Sequence, residues 1–316
     1  MSKPSGIALE TNSLGRRYGR RWALRDCTFE LPAGRVAALV GPNGAGKTTL
    51  LHLAVGLLAS SAGTIRVFGA SPWEHPKSVL PRVGFVAQDH PLYRGFTVAE
   101  TLELGRRLNP RWDGALALRR LNRLGIPFEQ RAGKLSGGQK AQVALALALA
   151  KHPDLVLLDE PLASLDPLAR RDFLRALAEA VEEDGVTVLL SSHIIGDLER
   201  VCDSLILLSA AHVQIAGEIA AIRREHTLLR GPRDGASAVA AVEAEGMVVE
   251  RSMADGRATL LVRSNPPHAL PDGWEAREAT LEEIVLAYLG QGASDLAGER
   301  GEVGAVTVVD DLEVTR

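Results

Sequence analysis

Short apolar runs alternate with helix-like stretches along the first two thirds of the chain. Each apolar run lacks charged residues, which is typical of a strand buried on both faces. The runs lie at 36–40, 83–87, 155–158 and 186–190. Stretches rich in leucine and alanine follow at 50–58, 140–150 and 168–183. Strands that alternate with helices in this way predict an α/β fold built on a mainly parallel sheet.

Two regions of this part depart from the alternation. Residues 7–35 look like short strands with turns and predict an N-terminal antiparallel β layer. Residues 91–134 predict a helical insertion, because Thr97 and Glu100 have the spacing of a capping box and leucines recur after them at near-helical intervals. These leucines are Leu102, Leu104, Leu108, Leu116, Leu118, Leu121 and Leu124. The arginines expected on the solvated face of the insertion are Arg106, Arg107, Arg119, Arg120 and Arg123.

The last third of the chain predicts a small α+β appendage. Strands are expected at 227–230, 247–249 and 258–262, and helices at 236–245 and 280–289. Residues 291–316 are rich in glycine and acidic residues and predict a flexible tail, in which 306–309 could add an edge strand. The expected organisation is therefore a main domain over 1–225, an accessory domain over 226–290 and a tail over 291–316.

Composition narrows the class of protein. The chain has 316 residues, of which 46% are hydrophobic, so it can bury a sizeable core. A formal net charge of -3 gives no support for nucleic acid as a partner. The two cysteines, Cys27 and Cys202, lack metal-binding spacing and are expected to serve packing in a reducing compartment. Since no apolar run reaches about 18 residues and no signal segment is visible, we expect a soluble intracellular protein.

The turn after the first buried strand predicts a phosphate-binding loop. Its glycines let successive backbone N–H groups point at one anion, and the positive end of the following helix faces the same place. Lys47 adds a charge for the β- and γ-phosphates, and the Thr48 hydroxyl can ligate Mg2+. A turn that binds nothing is the alternative, which the strand–turn–helix context disfavours. The loop consists of Gly41, Pro42, Asn43, Gly44, Ala45, Gly46, Lys47, Thr48 and Thr49.

A second helix start also has the properties of an anion site. Ser136, Gly137, Gly138 and Gln139 precede the helical stretch that begins at Lys140. Two glycines at a helix start expose N–H groups, and the helix dipole favours an anion there. The alternative is a plain serine N-cap. That cap would need Ser136 and one glycine, but not the whole Gly-Gly-Gln sequence.

Polar side chains at the ends of the apolar strands predict the chemistry. Asp159 and Glu160 end a buried strand, where charge is normally avoided. Asp159 could hold Mg2+, and Glu160 could polarise an attacking water as general base or by orienting it. Gln88 could reach the metal or the water, and His193 could contact a γ-phosphate. Taken singly, Gln88 would be read as a surface loop glutamine and His193 as a structural histidine; the neighbouring strand ends, which also carry polar groups, favour the functional roles.

Aromatic residues upstream of the phosphate loop suggest a base-stacking position. Tyr18 lies between two arginine pairs, and its ring could stack on adenine. From its position alone, Tyr18 is equally well explained as a tyrosine of the core or of an edge strand. Trp22 is the other aromatic residue that could stack on the base.

Taken together, these motifs resemble the ATP-binding subunit of ATP-binding-cassette (ABC) transporters, a P-loop NTPase fold, over roughly residues 7–225. The family's A-loop aromatic, Walker A, Q-loop, LSGGQ signature, Walker B, D-loop and switch histidine are matched in order. The matching positions are Tyr18, Gly41 to Thr49, Gln88, Leu135 to Gln139, Leu155 to Glu160, Ser164 to Asp166, and His193.

The resemblance implies that ATP and Mg2+ are cofactors and that two copies pair head to tail. Each ATP would lie between the Walker A loop of one copy and the signature of the other, so that Ser136, Gly137 and Gly138 cap a partner's γ-phosphate. Asp166 of the D-loop would belong to the same nucleotide site. One departure is that 144–148 lacks the arginine that many relatives carry there. The interactions of that arginine must be absent or supplied elsewhere.

The sequence therefore predicts an ATPase that drives a separate transmembrane permease. The helical insertion and the Gln88 loop would form the groove for that partner's cytoplasmic helix, and the protein would sit on the inner face of the membrane. The appendage is similar to those of drug- and antibiotic-exporter ATPases and favours export. The rivals are a soluble ABC ATPase acting on nucleic acid or ribosomes, and a nucleotide-binding regulator without turnover.

Overall fold

The computed structural model describes residues 6–163, 165–192, 195–196, 198–199, 201–232, 247–254, 256–263 and 273–290. The strands are β1 (Ile7–Tyr18), β2 (Arg21–Pro32), β3 (Val36–Val40), β4 (Ala62–Val67), β5 (Val83–Val86), β6 (Leu155–Leu158), β7 (Thr187–Ser192), β8 (Ser204–Ser209), β9 (His212–Glu218), β10 (His226–Pro232), β11 (Met247–Ala254), β12 (Arg257–Arg263) and β13 (Glu275–Glu278). The helices are α1 (Lys47–Ala54), α2 (Pro76–Val79), α3 (Val98–Leu108), α4 (Gly114–Arg123), α5 (Gly137–Ala150), α6 (Pro167–Asp184), α7 (Ile219–Arg224) and α8 (281–290).

The central sheet is mainly parallel, as the apolar runs predict. Its strand order is β5-β6-β7-β3-β8-β9, and only the edge strand β9 runs antiparallel to its neighbour. Apolar residues cover both faces, which explains why β3, β6 and β7 contain no charged residue. Because parallel strands end at the same edge, the segments after β3, β5, β6 and β7 lie together. This edge carries the candidate site.

The predicted antiparallel layer is present as a three-stranded sheet of order β2-β1-β4. Strands β1 and β2 have twelve residues each, longer than the short strands expected. Their apolar side chains form one core cluster with α1 and one face of the central sheet. Helix α1 ends at Ala54, not at Leu58. The chain turns at Gly56, whose φ is +67° and whose missing Cβ would lie 2.5 Å from the Pro72 carbonyl oxygen.

The predicted helical insertion is present as α3 and α4, which pack with α5 in a separate apolar cluster. Thr97 and Glu100 form the predicted capping box. Leu108 and Leu118 lie in α3 and α4, as their spacing predicts, although they are 70% and 45% exposed. Arg120 is not on a solvated face, because it is half-buried and its Nη1 donates to the Ala176 carbonyl oxygen at 2.9 Å. It joins α4 to α6.

The appendage is a four-stranded antiparallel sheet of order β11-β12-β10-β13 with α8 packed on it. Strands β10, β11 and β12 and the closing helix were predicted, whereas β13 was missed because its four side chains are all exposed. His226 ties the sheet to the main domain: its Nδ1 bonds the Ile222 carbonyl oxygen at 2.6 Å and its Nε2 the Tyr288 hydroxyl at 3.0 Å. The helix expected at 236–245 and the tail over 291–316, including 306–309, lie outside the described residues.

The two cysteines are buried and free. Burial raises the pKa of Cys27 to about 11 and that of Cys202 to about 12, so neither supplies a thiolate at neutral pH. This agrees with the packing role expected from the sequence. In the described part of the chain, no helix combines the length and the hydrophobicity that crossing a membrane requires.

Candidate functional site

The phosphate loop links β3 to α1 and is held in shape by close backbone packing. Gly44 and Gly46 have φ values of +81° and +107°, which disfavour other residues. A Cβ on Gly46 would lie 2.4 Å from the Ala23 carbonyl oxygen, and one on Gly41 would lie 2.3 Å from the Leu208 carbonyl oxygen. The neighbouring strands therefore require glycine at positions 41 and 46, and the backbone of the turn favours it at positions 44 and 46.

Lys47 is the buried cation of this loop, with only 6% of its surface exposed. Its Nζ donates to the carbonyl oxygens of Gly41 at 2.7 Å and Pro42 at 3.3 Å, and lies 3.2 Å from Glu160 Oε1. Glu160 is 8% exposed. The structure thus brings the predicted phosphate-binding lysine and the predicted catalytic carboxylate into one ion pair.

Asp159 and Glu160 follow β6, and Ser191 at the end of β7 binds both. The Ser191 hydroxyl accepts a hydrogen bond from the Glu160 backbone N–H at 2.7 Å and donates to Asp159 Oδ1 at 2.8 Å. The Asp159 backbone N–H donates to the Val86 carbonyl oxygen at 2.9 Å. Sequence reasoning gave Ser191 no role. The signal available was a pair of serines ending an otherwise apolar strand.

A cavity of about 430 Å³ opens over the phosphate loop. It brings together seven of the predicted site residues beside Glu160, with Ala23 and Ala163 as apolar neighbours. The lining consists of Ala23, Asn43, Gly44, Gly46, Lys47, Thr48, Thr49, Gln88, Glu160 and Ala163. Gly41, Pro42 and Ala45 belong to the loop without lining the cavity, and Asp159 does not line it either.

Gln88 reaches this cavity from the loop after β5. The loop is kinked at His90, which is 5% exposed, has a φ of +45° and donates its backbone N–H to the Ala87 carbonyl oxygen at 3.0 Å. Burial lowers the pKa of His90, so its imidazole is neutral at physiological pH. Gln88 is exposed at the cavity, whereas His90, two residues further on, is buried.

The two candidate aromatics are placed differently. Tyr18 ends β1 with 48% of its surface exposed, and the Arg16 guanidinium lies 4.8 Å from its ring centroid. Trp22 is half-buried against Gly15, where a Cβ would lie 2.9 Å from the indole. Neither ring lines the cavity. Of the two rings, that of Tyr18 is the more exposed.

The second helix start is a complete capping box, which corrects one sequence argument. Helix α5 begins at Gly137, three residues before the expected Lys140. The Gln139 N–H donates to Ser136 Oγ at 3.2 Å, and the Ser136 N–H donates to Gln139 Oε1 at 3.0 Å. Gln139 is thus accounted for by the cap. A Cβ on Gly138 would lie 3.1 Å from that of Ala169, so this glycine lets α5 approach α6.

Of the remaining predicted site residues, the structure describes Asp166 at the start of α6. Asp166 is the N-cap of α6, and its Oδ1 accepts hydrogen bonds from the N–H groups of Leu168 and Ala169 at 3.0 and 2.9 Å. None of Ser136, Gly137, Gly138, Gln139 or Asp166 lines the cavity of this chain. Ser164 and His193 lie outside the described residues.

The helix after the signature shows how the missing arginine is accommodated. Leu147 packs in the cluster of α3, α4 and α5, and lies with Trp112 against Gly105. Leu145 and Ala146 are buried in two different apolar clusters. In this part of α5 the side chains therefore make apolar packing contacts.

The fold and site geometry agree with comparisons to known proteins. A family model described as ABC transporter matches residues 24–163. The sulfate/thiosulfate import ATP-binding protein CysA of Yersinia pseudotuberculosis is 34% identical over 229 residues, which cover 69% of this chain and 62% of that protein. The Nod factor export ATP-binding protein I of Rhizobium johnstonii is 36% identical over 219 residues, covering 66% of this chain and 70% of that protein.

Comparison with solved structures also finds ATP-binding cassettes with a similar fold. A dimeric ATP-binding cassette in a post-hydrolysis state, bound to ADP and Pi, matches with a TM-score of 0.60 and 26% identity, covering 67% of this chain and 98% of that one. The chain therefore belongs to the family of ATP-binding subunits of ABC transporters. Members of this class are ATP hydrolases that bind ATP with Mg2+.

The residues present fit a triphosphate with Mg2+. The glycine cradle excludes side chains, Lys47 supplies a buried cation, and Thr48 and Gln88 supply neutral oxygens to the cavity. Within the described ranges, no group of three or more His, Cys, Asp or Glu side chains is arranged to hold a metal. Mg2+ in such sites is bound through one or two carboxylates together with phosphate oxygens. Of the two carboxylates that follow β6, Glu160 lines the cavity and Asp159 does not.

Proposed function

We propose that this chain is the ATP-hydrolysing subunit of a transporter and powers a separate membrane-spanning permease. One observation carries the proposal: Lys47, Gln88 and Glu160, which come from three different strand ends, meet at one cavity over the phosphate loop. Each residue taken alone could have a purely structural role. Their convergence at the carboxyl edge of a parallel sheet is what a hydrolytic nucleotide site requires.

Hydrolysis in this site rests on positioning and charge neutralisation. Lys47 and the loop N–H groups hold the phosphates, while Thr48, Gln88 and Asp159 hold the Mg2+ that neutralises developing charge. Glu160 orients the attacking water and accepts its proton. His193 is proposed to contact the γ-phosphate, and Tyr18 to stack on the adenine because its ring is the accessible one.

Two copies are proposed to pair head to tail. Ser136, Gly137 and Gly138 begin a helix that is well suited to an anion, yet they do not line the cavity of their own chain. A partner's nucleotide would give them a ligand, and Asp166 would adjoin the same interface. The similar dimeric cassette with ADP and Pi supports pairing as a state accessible to this fold.

The permease is proposed to dock beside the helical insertion. A cavity of about 350 Å³ lies between the end of α3 and the segment around α2, and the exposed Leu80 and Leu108 line it. Tyr93 and Phe96, in the loop between Gln88 and α3, are 66% and 39% exposed and stack at 5.2 Å. Exposed apolar side chains at this density suit the cytoplasmic helix of a membrane partner, which would hold the subunit at the inner face of the membrane.

Export is the proposed direction of transport. The relatives include an import protein and an export protein, so the main domain does not favour either direction. The support is the short helical insertion and the appendage over 226–290, which we propose strengthens or regulates the dimer. We propose that the chain is divided into three parts: a main domain over 1–225, this appendage and a tail over 291–316.

Glu160→Gln tests the hydrolytic function. Loss of the carboxylate removes the water-orienting base while leaving the phosphate loop intact, so we expect turnover to fall at least about 100-fold. ATP binding, measured by fluorescence of a nucleotide analogue, should be retained, because one negative charge beside Lys47 has gone. Phosphate release at saturating ATP is the assay.

The matched control is Glu282→Gln, an exposed carboxylate on α8 far along the chain from the site. This variant should hydrolyse ATP like the wild type. Wild-type turnover in Glu160→Gln would remove Glu160 from its proposed role and would favour a different base. Binding without turnover in the unmodified protein would instead support a nucleotide-dependent regulator.

A further inference from the structure

Ser191 makes two hydrogen bonds that join the two carboxylate residues of the site. Its side chain is completely buried at the carboxyl end of β7. A hydroxyl has one hydrogen to donate, and Ser191 donates it to Asp159 Oδ1 at 2.8 Å. An oxygen lone pair is then left to accept the Glu160 N–H, at 2.7 Å. One side chain thus fixes the carboxylate of one residue and the backbone of the next.

The backbone of Glu160 needs such support, because its φ is +46°. Residues other than glycine seldom adopt this left-handed conformation, and they do so where the surroundings hold them. The turn directs the Glu160 side chain back toward Lys47 and into the cavity. Without the Ser191 bond, the N–H of Glu160 would lose a buried acceptor and the turn would be free to relax.

We propose that Ser191 is a positioning residue for ATP hydrolysis. Through the backbone of Glu160 it sets where the catalytic carboxylate points, and through Oδ1 it orients Asp159 toward the Mg2+ site. The inference rests on the roles proposed above for Glu160 and Asp159. It makes a two-part prediction, because the loss of one hydroxyl must disturb both the turnover step and the metal requirement.

Thr187 offers a matched comparison on the same strand. It is also completely buried, and its Oγ1 also accepts a backbone N–H, that of Gly34, at 2.9 Å. It lies at the amino end of β7, four residues from Ser191 and at the edge of the sheet away from the cavity. Thr187→Val and Ser191→Ala each remove a single buried hydroxyl from one strand. A purely structural hydroxyl should behave alike at both positions.

The experiment measures steady-state hydrolysis and its Mg2+ dependence in folded wild type, Ser191→Ala and Thr187→Val. Outer-shell partners of such sites typically change activity or metal affinity by 10- to 100-fold. For Ser191→Ala we expect kcat to fall about 10-fold, KM for ATP to stay within about 2-fold, and the half-saturating Mg2+ concentration to rise about 10-fold. Thr187→Val should keep all three values, while both variants unfold at a lower temperature than the wild type.

Ser191→Cys is the second variant, because it fills the space that alanine leaves. A thiol is a weak hydrogen-bonding group, so the same kinetic defect should appear with a smaller loss of stability. Wild-type kcat and Mg2+ dependence in a folded Ser191 variant would overturn the proposal. Equal kinetic losses in Ser191→Ala and Thr187→Val would also overturn it, in favour of a structural role.

Glu160→Gln distinguishes a failure of the positioning role of Ser191 from a failure of the proposed function. If Glu160→Gln abolishes turnover while the folded Ser191 variants keep the wild-type kcat and Mg2+ dependence, the positioning role is wrong and the proposed function stands. If Glu160→Gln retains turnover, the role of Glu160 fails first, and the positioning role that rests on it fails with it.

Discussion

Two glycines of the phosphate loop, Gly44 and Gly46, are required for different reasons. Gly44 has a positive φ but open space around its missing Cβ. Gly46 has a positive φ and also lies against β2, where a Cβ would meet the Ala23 carbonyl oxygen at 2.4 Å. The sequence has a glycine at both positions. Only the packing distinguishes conformational need from steric need.

We therefore expect Gly46→Ala to be far more damaging than Gly44→Ala. Left-handed backbone alone costs about 1–2 kcal/mol for alanine, which is the expected loss at Gly44. At Gly46 the backbone overlap adds to this cost, so a loss of more than about 3 kcal/mol is expected, and the displaced loop should no longer bind ATP. Thermal unfolding and nucleotide binding of the two variants test this. Equal destabilisation would mean that β2 does not constrain the loop.

Residues that bear a motif were predictable, and residues that act through the tertiary fold were not. Lys47 and Glu160 stand out in the sequence because a phosphate loop and a charged strand end are local patterns. Their 3.2 Å pairing, and the bridge from Ser191, depend on β7 lying between β6 and β3 in the sheet. Strand order is set by packing of the whole domain, so spacing along the chain does not encode it.

At the scale of elements, capping signals were more dependable than hydrophobic periodicity. The boxes at Thr97 and at Thr280 with Glu283 form as expected. The box at Ser136 was overlooked because its glutamine was assigned to anion binding. Leucine spacing predicted α3 and α4 but not which leucines are buried: Leu108 and Leu118 are exposed, since the two helices that pack on α5 bury only a narrow stripe each. A cap is decided by a few adjacent residues, whereas burial depends on the partner helix.

The junction of α7, β10 and α8 yields a prediction about the appendage. Burial lowers the pKa of His226, so the neutral ring bonds both the Ile222 carbonyl oxygen and the Tyr288 hydroxyl. Tyr288→Phe would leave the Nε2 of a buried ring unpaired, at a cost of about 1–3 kcal/mol. We expect a lower unfolding temperature with unchanged ATP turnover.

The control for this variant is Tyr93→Phe, which removes a hydroxyl from an exposed ring and should leave stability unchanged. A wild-type unfolding temperature in Tyr288→Phe would show that this hydrogen bond does not secure the appendage. A loss of turnover equal to that of a site variant would show that the appendage supports catalysis directly.

At the scale of the whole molecule, the chain has two candidate anion sites that do not meet. One is the cavity over the phosphate loop, and the other is the start of α5, which begins with Ser136 and Gly137. The α/β class, the antiparallel layer and the insertion followed from the sequence, because each has its own pattern. How the two sites cooperate did not, since it is a property of two copies. The central claim is that each copy supplies half of a closed nucleotide pocket.

The most direct test of that claim is the molar mass of Glu160→Gln by light scattering, with and without ATP and Mg2+. The account predicts twice the chain mass of 33.7 kDa with ATP and a single chain without it. Adding Gly137→Glu should keep α5 folded, because an acidic residue suits the first turn of a helix, but should repel a partner's γ-phosphate. The double variant should therefore bind ATP and remain monomeric. A dimer that forms equally well with Gly137→Glu, or a monomer that encloses ATP in Glu160→Gln, would contradict the account.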